Sequence, residues 1–183
     1  IAKYYRRDSV VIHPPVDTGS FVQRADVGDF YLCCGQLVAY KRVDLAIEAF
    51  NRMAKRLVVI GGGEQMQALR RIAGPTITLL GPQPFESLRE NYARCRALVF
   101  PGEEDFGIVP VEAMASGRPV IAFGRGGALD TVQDGKMGIL FAEQTAESLI
   151  GAVKRFEQTA GQFVPEALIA HARQFDRSQF RQR

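Results

Sequence analysis

The stretch EEDFGIVPVEAMASGRPVIA, residues 103–122, carries two carboxylates, Glu104 and Glu112, eight positions apart around a glycine. The apolar run Leu98–Phe100 before it predicts a strand, and the helix that follows is expected to begin near Ile108–Pro110. One carboxylate would then lie on the loop and the other on the first helical turn. Both would face a shared cleft with free backbone N–H groups, which suits a ligand that carries hydroxyls and phosphates.

The composition is that of one ordinary globular domain. With 46% hydrophobic and 23% charged residues the chain can fill a core, and no linker divides residues 1–183. Its 23 basic and 20 acidic residues are interspersed, so the net charge of +3 does not indicate a nucleic-acid partner. No run approaches the roughly 18 apolar residues that would predict a membrane span.

Neither the cysteines nor the histidines indicate a metal site or a disulfide framework. Cys33, Cys34 and Cys95 are odd in number, and two of them are adjacent in an apolar run, so we expect buried thiols in a reducing compartment. His13 and His171 have no cysteine or carboxylate at the spacing of metal ligands, so no metal is expected.

Short, continuous apolar runs alternate with amphipathic segments along the chain. The runs that predict strands are Val10–Ile12, Phe30–Cys34, Leu57–Ile60, Ile77–Leu80, Ala97–Phe100, Val120–Phe123 and Ile139–Phe141. The segments that predict helices are Val43–Met53, Glu64–Ile72, Phe85–Cys95, Val109–Ala115, Gly127–Val132, Ala146–Phe156 and Pro165–Phe175. This alternation predicts an α/β fold: a Rossmann-like, doubly wound parallel sheet of about six strands with helices on both faces.

Three loops that follow predicted strands are candidates for ligand binding, because ligands of such sheets bind at the carboxyl ends of the strands. They are the loop Gly35–Arg42 with Lys41 before a helix, the turn Gly61–Gly63, and the loop Gly124–Gly127. Each loop also has a purely structural interpretation. The loop 35–42 would be a helix start with solvated cations, the turn 61–63 a tight turn without the full G-x-G-x-x-G fingerprint, and the loop 124–127 a flexible turn. Their convergence on one sheet edge favours a binding site.

Together these blocks resemble the retaining, nucleotide-sugar-dependent glycosyltransferases of family four, also called group one. The matching blocks are the glutamate–seven residues–glutamate signature at 104–112, G-x-L-x-x-x-K at 35–41, the turn at 61–63 and the glycine pair at 126–127. The chain is most similar to bacterial mannosyltransferase-type members that assemble surface polysaccharides.

The resemblance implies the C-terminal, donor-binding lobe of a two-lobed GT-B enzyme. The N-terminal acceptor lobe would be missing, the last helix would be cut short near 180–183, and residues 1–183 alone would be inactive. The expected substrate is a nucleoside diphosphate hexose, GDP-mannose being favoured and a UDP-sugar left open, with no cofactor or metal required. A saccharide or lipid-linked acceptor would bind through the other lobe. The protein is expected to be cytoplasmic, and peripheral contact of the other lobe with the inner face of the membrane is left open.

The resemblance also assigns roles to residues. Glu104, which would contact hydroxyls of the transferred sugar, and Lys41, which would contact the diphosphate, are the expected catalytic residues. Glu112 would accept hydrogen bonds from the two ribose hydroxyls, and the segment Gly81–Pro84 would lie near the base. The full expected donor-binding set is Gly35, Gln36, Lys41, Arg42, Gly61, Gly62, Gly81, Pro82, Phe106, Gly107, Ile108, Val109 and Glu112.

The chain departs from the family pattern at two positions, and three other functions are alternatives to this interpretation. Many relatives have arginine in place of Gln36, so Arg42 is a candidate to supply the second cation, and many have glutamate in place of Asp130. A non-catalytic nucleotide-binding module remains an alternative, although Glu104 would then have no purpose. A dinucleotide-dependent dehydrogenase is disfavoured by the missing fingerprint, and a glycosidase by the absence of a suitable partner acid for Glu104.

Overall fold

Six strands form one sheet. In the computed structural model, which describes residues 2–8 and 10–181, the strands are β1 (Tyr31–Cys34), β2 (Leu57–Ile60), β3 (Ile77–Gly81), β4 (Leu98–Phe100), β5 (Val120–Phe123) and β6 (Gly138–Phe141). Their order across the sheet is β3-β2-β1-β4-β5-β6, and every neighbouring pair runs parallel. All residues of β4 and β5 are buried, as expected of strands that are covered on both faces.

Helices connect the strands and cover the sheet. They are α1 (Ala2–Tyr5), α2 (Val43–Met53), α3 (Met66–Ile72), α4 (Phe85–Arg94), α5 (Ile108–Ala115), α6 (Ala128–Thr131), α7 (Ala146–Thr159), α8 (Pro165–Ala172) and α9 (Arg177–Phe180). On one side α2 packs against α3 and α7, and on the other α5 packs against α4 and α8. The predicted fold class, a doubly wound parallel sheet with helices on both faces, is confirmed.

The prediction of a strand at Val10–Ile12 is wrong. These residues are irregular, and Val10 is 87% exposed and Val11 72% exposed. Contact with the rest of the chain begins directly after this segment, where the His13 ring stacks on Phe106, and continues at Val16, which makes an isolated bridge to Asp176. Two prolines follow at 14 and 15, and their missing N–H groups prevent the apolar run from continuing into a ladder.

Several helix ends differ from their predicted positions. The helix expected from Glu64 begins at Met66, and α8 ends at Ala172, after which residues 173–175 form a 3-10 turn. The prediction that the chain stops within a helix near 180–183 falls partly on residues 182–183, which lie outside the described residues.

The strand order reverses between β1 and β4, and this switch point locates the candidate site. The loops after these two strands leave on opposite sides, which opens a cleft at the carboxyl ends of the strands. Gly61 follows β2 directly, beside this cleft, with a φ of 143°, and a Cβ there would overlap the carbonyl oxygen of Gly35. Only glycine therefore lets the loops after β1 and β2 approach so closely.

We predict that Leu32→Ala lowers the free energy of unfolding by about 2–5 kcal/mol, because Leu32 is fully buried between β2 and β4. Val11→Ala is the control and should change it by less than about 0.5 kcal/mol, since Val11 lies in the exposed segment before β1. Urea unfolding of both variants measures the difference. A loss of stability in Val11→Ala as large as that in Leu32→Ala would show that Val11 belongs to the packed sheet.

Candidate functional site

Two adjoining cavities open at the switch point. The first, the Glu104 cavity, has a volume of about 640 Å³, and six of the residues singled out in the sequence line it: Lys41, Glu104, Phe106, Gly107, Ile108 and Val109. The second, the Glu112 cavity, has a volume of about 380 Å³, and another six line it: Gly35, Gln36, Gly61, Gly62, Pro82 and Glu112. Val109 lines both cavities, so they are neighbours along one cleft.

Lys41 and Glu104 form an ion pair in the first cavity. The ammonium Nζ of Lys41 lies 2.8 Å from Oε1 of Glu104, and less than a fifth of either side chain is exposed. Within the described part of the chain, this buried oxygen accepts no hydrogen bond, since the lysine approaches it without the alignment that a hydrogen bond requires. Each charge therefore neutralises the other, and both retain hydrogen-bonding capacity for a ligand.

The loop that carries Glu104 is held from two sides. The N–H of Gly127 donates to the carbonyl oxygen of Glu104 at 2.7 Å, and a Cβ at Gly127 would overlap the backbone of Phe106. The Phe106 ring stacks on His13 with centroids 5.0 Å apart and lies 5.5 Å from the ring of Phe175. The glycine pair at 126–127 thus supports the loop rather than lining either cavity.

Helix α5 begins at the boundary of the two cavities. Gly107, with a φ of 80°, precedes its first residue, Ile108, and the first N–H groups of a helix have no partner inside the helix. These groups carry partial positive charge and favour an anion. The prediction that Glu112 lies on the first helical turn is wrong: it is the fifth residue of α5, on the second turn, and it therefore lines the Glu112 cavity rather than the cavity of Glu104.

Glu112 is surrounded by neutral groups. The hydroxyl of Tyr92 donates to Oε2 of Glu112 at 2.7 Å, and the thiol of Cys34 lies 2.9 Å from that hydroxyl. Burial raises the pKa of Glu112, and the hydrogen bond from Tyr92 opposes this rise. Burial also raises the pKa of Tyr92 and of Cys34 well above their usual ranges, so both remain protonated donors at neutral pH.

Two residues of the expected donor-binding set, Arg42 and Gly81, lie outside both linings, and so does Asp130. The guanidinium of Arg42 contacts Asp44 at 3.2 Å and Gln144 at 3.4 Å, which directs it away from the cavities. The carbonyl of Gly81 accepts from the N–H of Gly61 and so supports the neighbouring turn. Asp130 is exposed on α6. The geometry gives no support to Arg42 as a replacement for the cation that Gln36 lacks.

The sequence did not point to four residues of the Glu112 cavity, Cys34, Ile60, Leu88 and Tyr92, or to Pro14 in the Glu104 cavity. Leu88 and Tyr92 are four residues apart on one face of α4, a spacing that indicates core packing. The one available signal was the tyrosine itself, because a phenol on an apolar helix face needs a hydrogen-bond partner.

Three further findings concern the described residues 2–8 and 10–181 as a whole. No group of three or more histidine, cysteine, aspartate or glutamate side chains is arranged to hold a metal ion there. None of the helices in this part of the chain combines the length and the apolar character needed to cross a membrane. The three cysteines are free thiols, and Cys33 and Cys95 are buried.

Comparison with known sequences identifies relatives. The chain is 29% identical over 170 residues to a GDP-mannose-dependent alpha-(1-6)-phosphatidylinositol monomannoside mannosyltransferase of Mycolicibacterium smegmatis, covering 76% of this chain and 44% of that protein. It is 27% identical over 183 residues to the O-antigen chain mannosyltransferase RfbU of Salmonella typhimurium, covering 89% of this chain and 52% of that protein. The chain thus spans about half the length of these relatives.

Solved structures share the fold. Anabaena HepE in complex with UDP and glucose superimposes with a TM-score of 0.82 at 20% identity, covering 94% of this chain and 54% of that one. Sucrose-phosphate synthase from Thermosynechococcus elongatus gives 0.82 at 24% identity, covering 92% and 49%. The model of the family described as glycosyl transferases group 1 matches residues 29–158, which include both cavities apart from Pro14. The chain belongs to the group 1 glycosyl transferases.

Proposed function

We propose that the chain binds the nucleoside diphosphate sugar donor of a glycosyltransferase. The observation that carries the proposal is the adjacency of two unlike cavities: one has a buried carboxylate among neutral groups, and the other has an ion pair beside a helix N-terminus. The first suits a nucleoside and the second a diphosphate with its sugar. The likeness to HepE, which was solved with UDP and glucose, supports the same assignment.

The nucleoside would occupy the Glu112 cavity. One oxygen of Glu112 is held by Tyr92, and the other is available to accept hydrogen bonds from the ribose hydroxyls. The wall formed by Pro82 and Leu88 offers apolar surface to a planar base. The glycines at 35 and 61 allow the ligand to approach the backbone closely.

The diphosphate would lie between Lys41 and the N-terminus of α5. When the bond from the sugar to the phosphate breaks, negative charge develops on the departing nucleoside diphosphate. A lysine ammonium and oriented N–H groups stabilise that charge without rearranging. A diphosphate would also compete with Glu104 for Lys41, so binding would release Glu104 toward the hydroxyls of the sugar.

Transfer would proceed with retention at the anomeric carbon. The acceptor hydroxyl oxygen forms the new bond to that carbon from the face that the phosphate leaves, and its proton passes to the departing phosphate oxygen. No covalent bond to the protein is needed, and Glu104 orients the sugar. GDP-mannose and a UDP-hexose both remain candidate donors, and the acceptor would bind to a second lobe of a longer protein at the mouth of the Glu104 cavity.

Glu112→Gln is expected to weaken the binding of the preferred nucleotide about 10- to 100-fold, because a charge-assisted hydrogen bond contributes about 1.5–3 kcal/mol. Calorimetric titration of the chain with UDP, GDP and ADP measures the effect and identifies the base. Glu143→Gln, an exposed carboxylate outside both cavities, is the matched control and should bind like the wild type. Absence of binding to all three nucleotides would overturn the proposal.

Lys41→Met should remove most of the affinity that the diphosphate adds to the nucleoside, again by about 10- to 100-fold, since it deletes the cation of the Glu104 cavity. Titrations with the nucleoside diphosphate and the corresponding nucleoside separate this effect from a general loss of the site. Lys154→Met, on the exposed side of α7, serves as control. An equal loss of nucleoside and diphosphate binding would argue against a phosphate role for Lys41.

Glu104→Gln distinguishes a transferase lobe from a non-catalytic nucleotide-binding module. We expect it to leave the affinity for the free diphosphate equal or higher, because Lys41 loses its competing partner. The affinity of the Glu104→Gln variant for the sugar nucleotide should fall about tenfold relative to its affinity for the free nucleoside diphosphate. Calorimetry with UDP-glucose, GDP-mannose and the free diphosphates measures this ratio, and an unchanged ratio would favour the non-catalytic alternative.

A further inference from the structure

Tyr92 occupies a position in the Glu112 cavity that core packing alone does not explain. The residue is fully buried on α4, yet its hydroxyl reaches the cavity lining between a thiol and a carboxylate. Its ring is fixed by an edge contact with Phe21, whose centroid is 5.6 Å away. The phenol is therefore rigid, and its hydroxyl can point in only a narrow range of directions.

We propose that Tyr92 is a positioning residue for Glu112, and that the Cys34 thiol orients the Tyr92 hydroxyl so that the carboxylate presents its remaining acceptor sites to the ribose. The proposal rests on the nucleotide-binding role given above to the Glu112 cavity. It adds a residue pair, Tyr92 and Cys34, to the recognition of the two ribose hydroxyls.

The direction of the hydrogen bonds follows from the proton count. The phenol has one proton, and an ionised carboxylate can only accept, so Tyr92 donates to Oε2 of Glu112 at 2.7 Å. The contact from Cys34 at 2.9 Å must then run from the thiol to the phenol oxygen. The chain of donors from Cys34 through Tyr92 to Glu112 leaves Oε1 of the carboxylate for the ligand.

This donor chain is needed because, among the described residues 2–8 and 10–181, no lysine or arginine lines the cavity of Glu112. The titratable groups that face the carboxylate are Tyr92 from α4 and Cys34 from β1, and Glu112 is the only charged residue among those that line its cavity. A buried carboxyl without a donor favours the protonated form, which loses an acceptor site. The hydrogen bond from Tyr92 favours the ionised form of the carboxyl group and restricts its rotation about the side-chain axis.

Tyr92→Phe tests the proposal, since it removes the hydroxyl and keeps the ring. The hydrogen bond from Tyr92 lowers the pKa of Glu112, so its loss raises that pKa. As the pH is lowered, Glu112 of the variant becomes protonated earlier, and its nucleotide affinity should begin to fall at a higher pH than that of the wild type. We expect roughly tenfold weaker binding at pH 7.5 and a pH profile displaced upward. The measurement is calorimetric titration between pH 5 and 8 with whichever of UDP, GDP and ADP the wild type binds best.

Tyr31→Phe is a matched control. Tyr31 is also a buried phenol that donates to a glutamate, with its hydroxyl 3.0 Å from Glu157, and it lies outside both cavities. This variant loses a comparable hydrogen bond and should retain the wild-type affinity and pH profile. If Tyr92→Phe does not fold, Cys34→Ala replaces it, with a smaller shift expected in the same direction, and Cys34→Ser should restore the wild-type profile because serine can donate.

The outcomes separate this inference from the proposed function. If the wild type binds a nucleotide and Tyr92→Phe binds it with the same affinity and pH profile, the positioning role is overturned and nucleotide binding stands. If the wild type binds none of the three nucleotides, the proposed function is overturned together with this inference. An upward displacement in Tyr92→Phe alone, with Tyr31→Phe unchanged, supports both.

Discussion

The parallel pairing of β1 with β4 determines where the site forms. The pair joins Leu32 to Leu98 at the centre of the sheet, and the loops that follow the two strands diverge from this point. One loop carries Lys41 and the other carries Glu104, so their ion pair closes across the gap that the strand order creates. Helix α5 begins at the same place and brings its N-terminus to the boundary between the two cavities.

The two carboxylates of the site are stabilised in different ways. Glu104 is compensated by a full positive charge that a phosphate can attract away, so its environment is expected to change when a ligand binds. Glu112 is held in a buried position by a hydrogen bond from a neutral phenol. A single cleft thus combines an ion pair, Lys41 with Glu104, and a carboxylate, Glu112, whose position a neutral hydrogen-bond donor holds.

Glycines at the cleft make this arrangement possible because they have no side chain and let neighbouring backbones approach closely. The loops after β1 and β2 touch through Gly35 and Gly61, and the loop of Glu104 rests on Gly127. Any Cβ at Gly61 or Gly127 would overlap a neighbouring backbone, so both positions require glycine, but the two turns have different roles. Gly61 lines the Glu112 cavity, whereas Gly127 acts at a distance by holding the Glu104 loop.

The sequence by itself determined the fold class and all six strands to within one residue, because continuous apolar runs are local patterns. The resemblance to a known family, carried by the motifs of the loops after the strands, indicated most of the residues that line the two cavities. Only the tertiary structure decided the partners: Lys41 with Glu104, and Tyr92 with Glu112, are brought together by sheet order and helix packing. It also decided that Val10–Ile12 lies outside the sheet and that Arg42 turns toward Asp44. Strand pairing and side-chain direction depend on contacts between residues far apart in the chain, which no local pattern records.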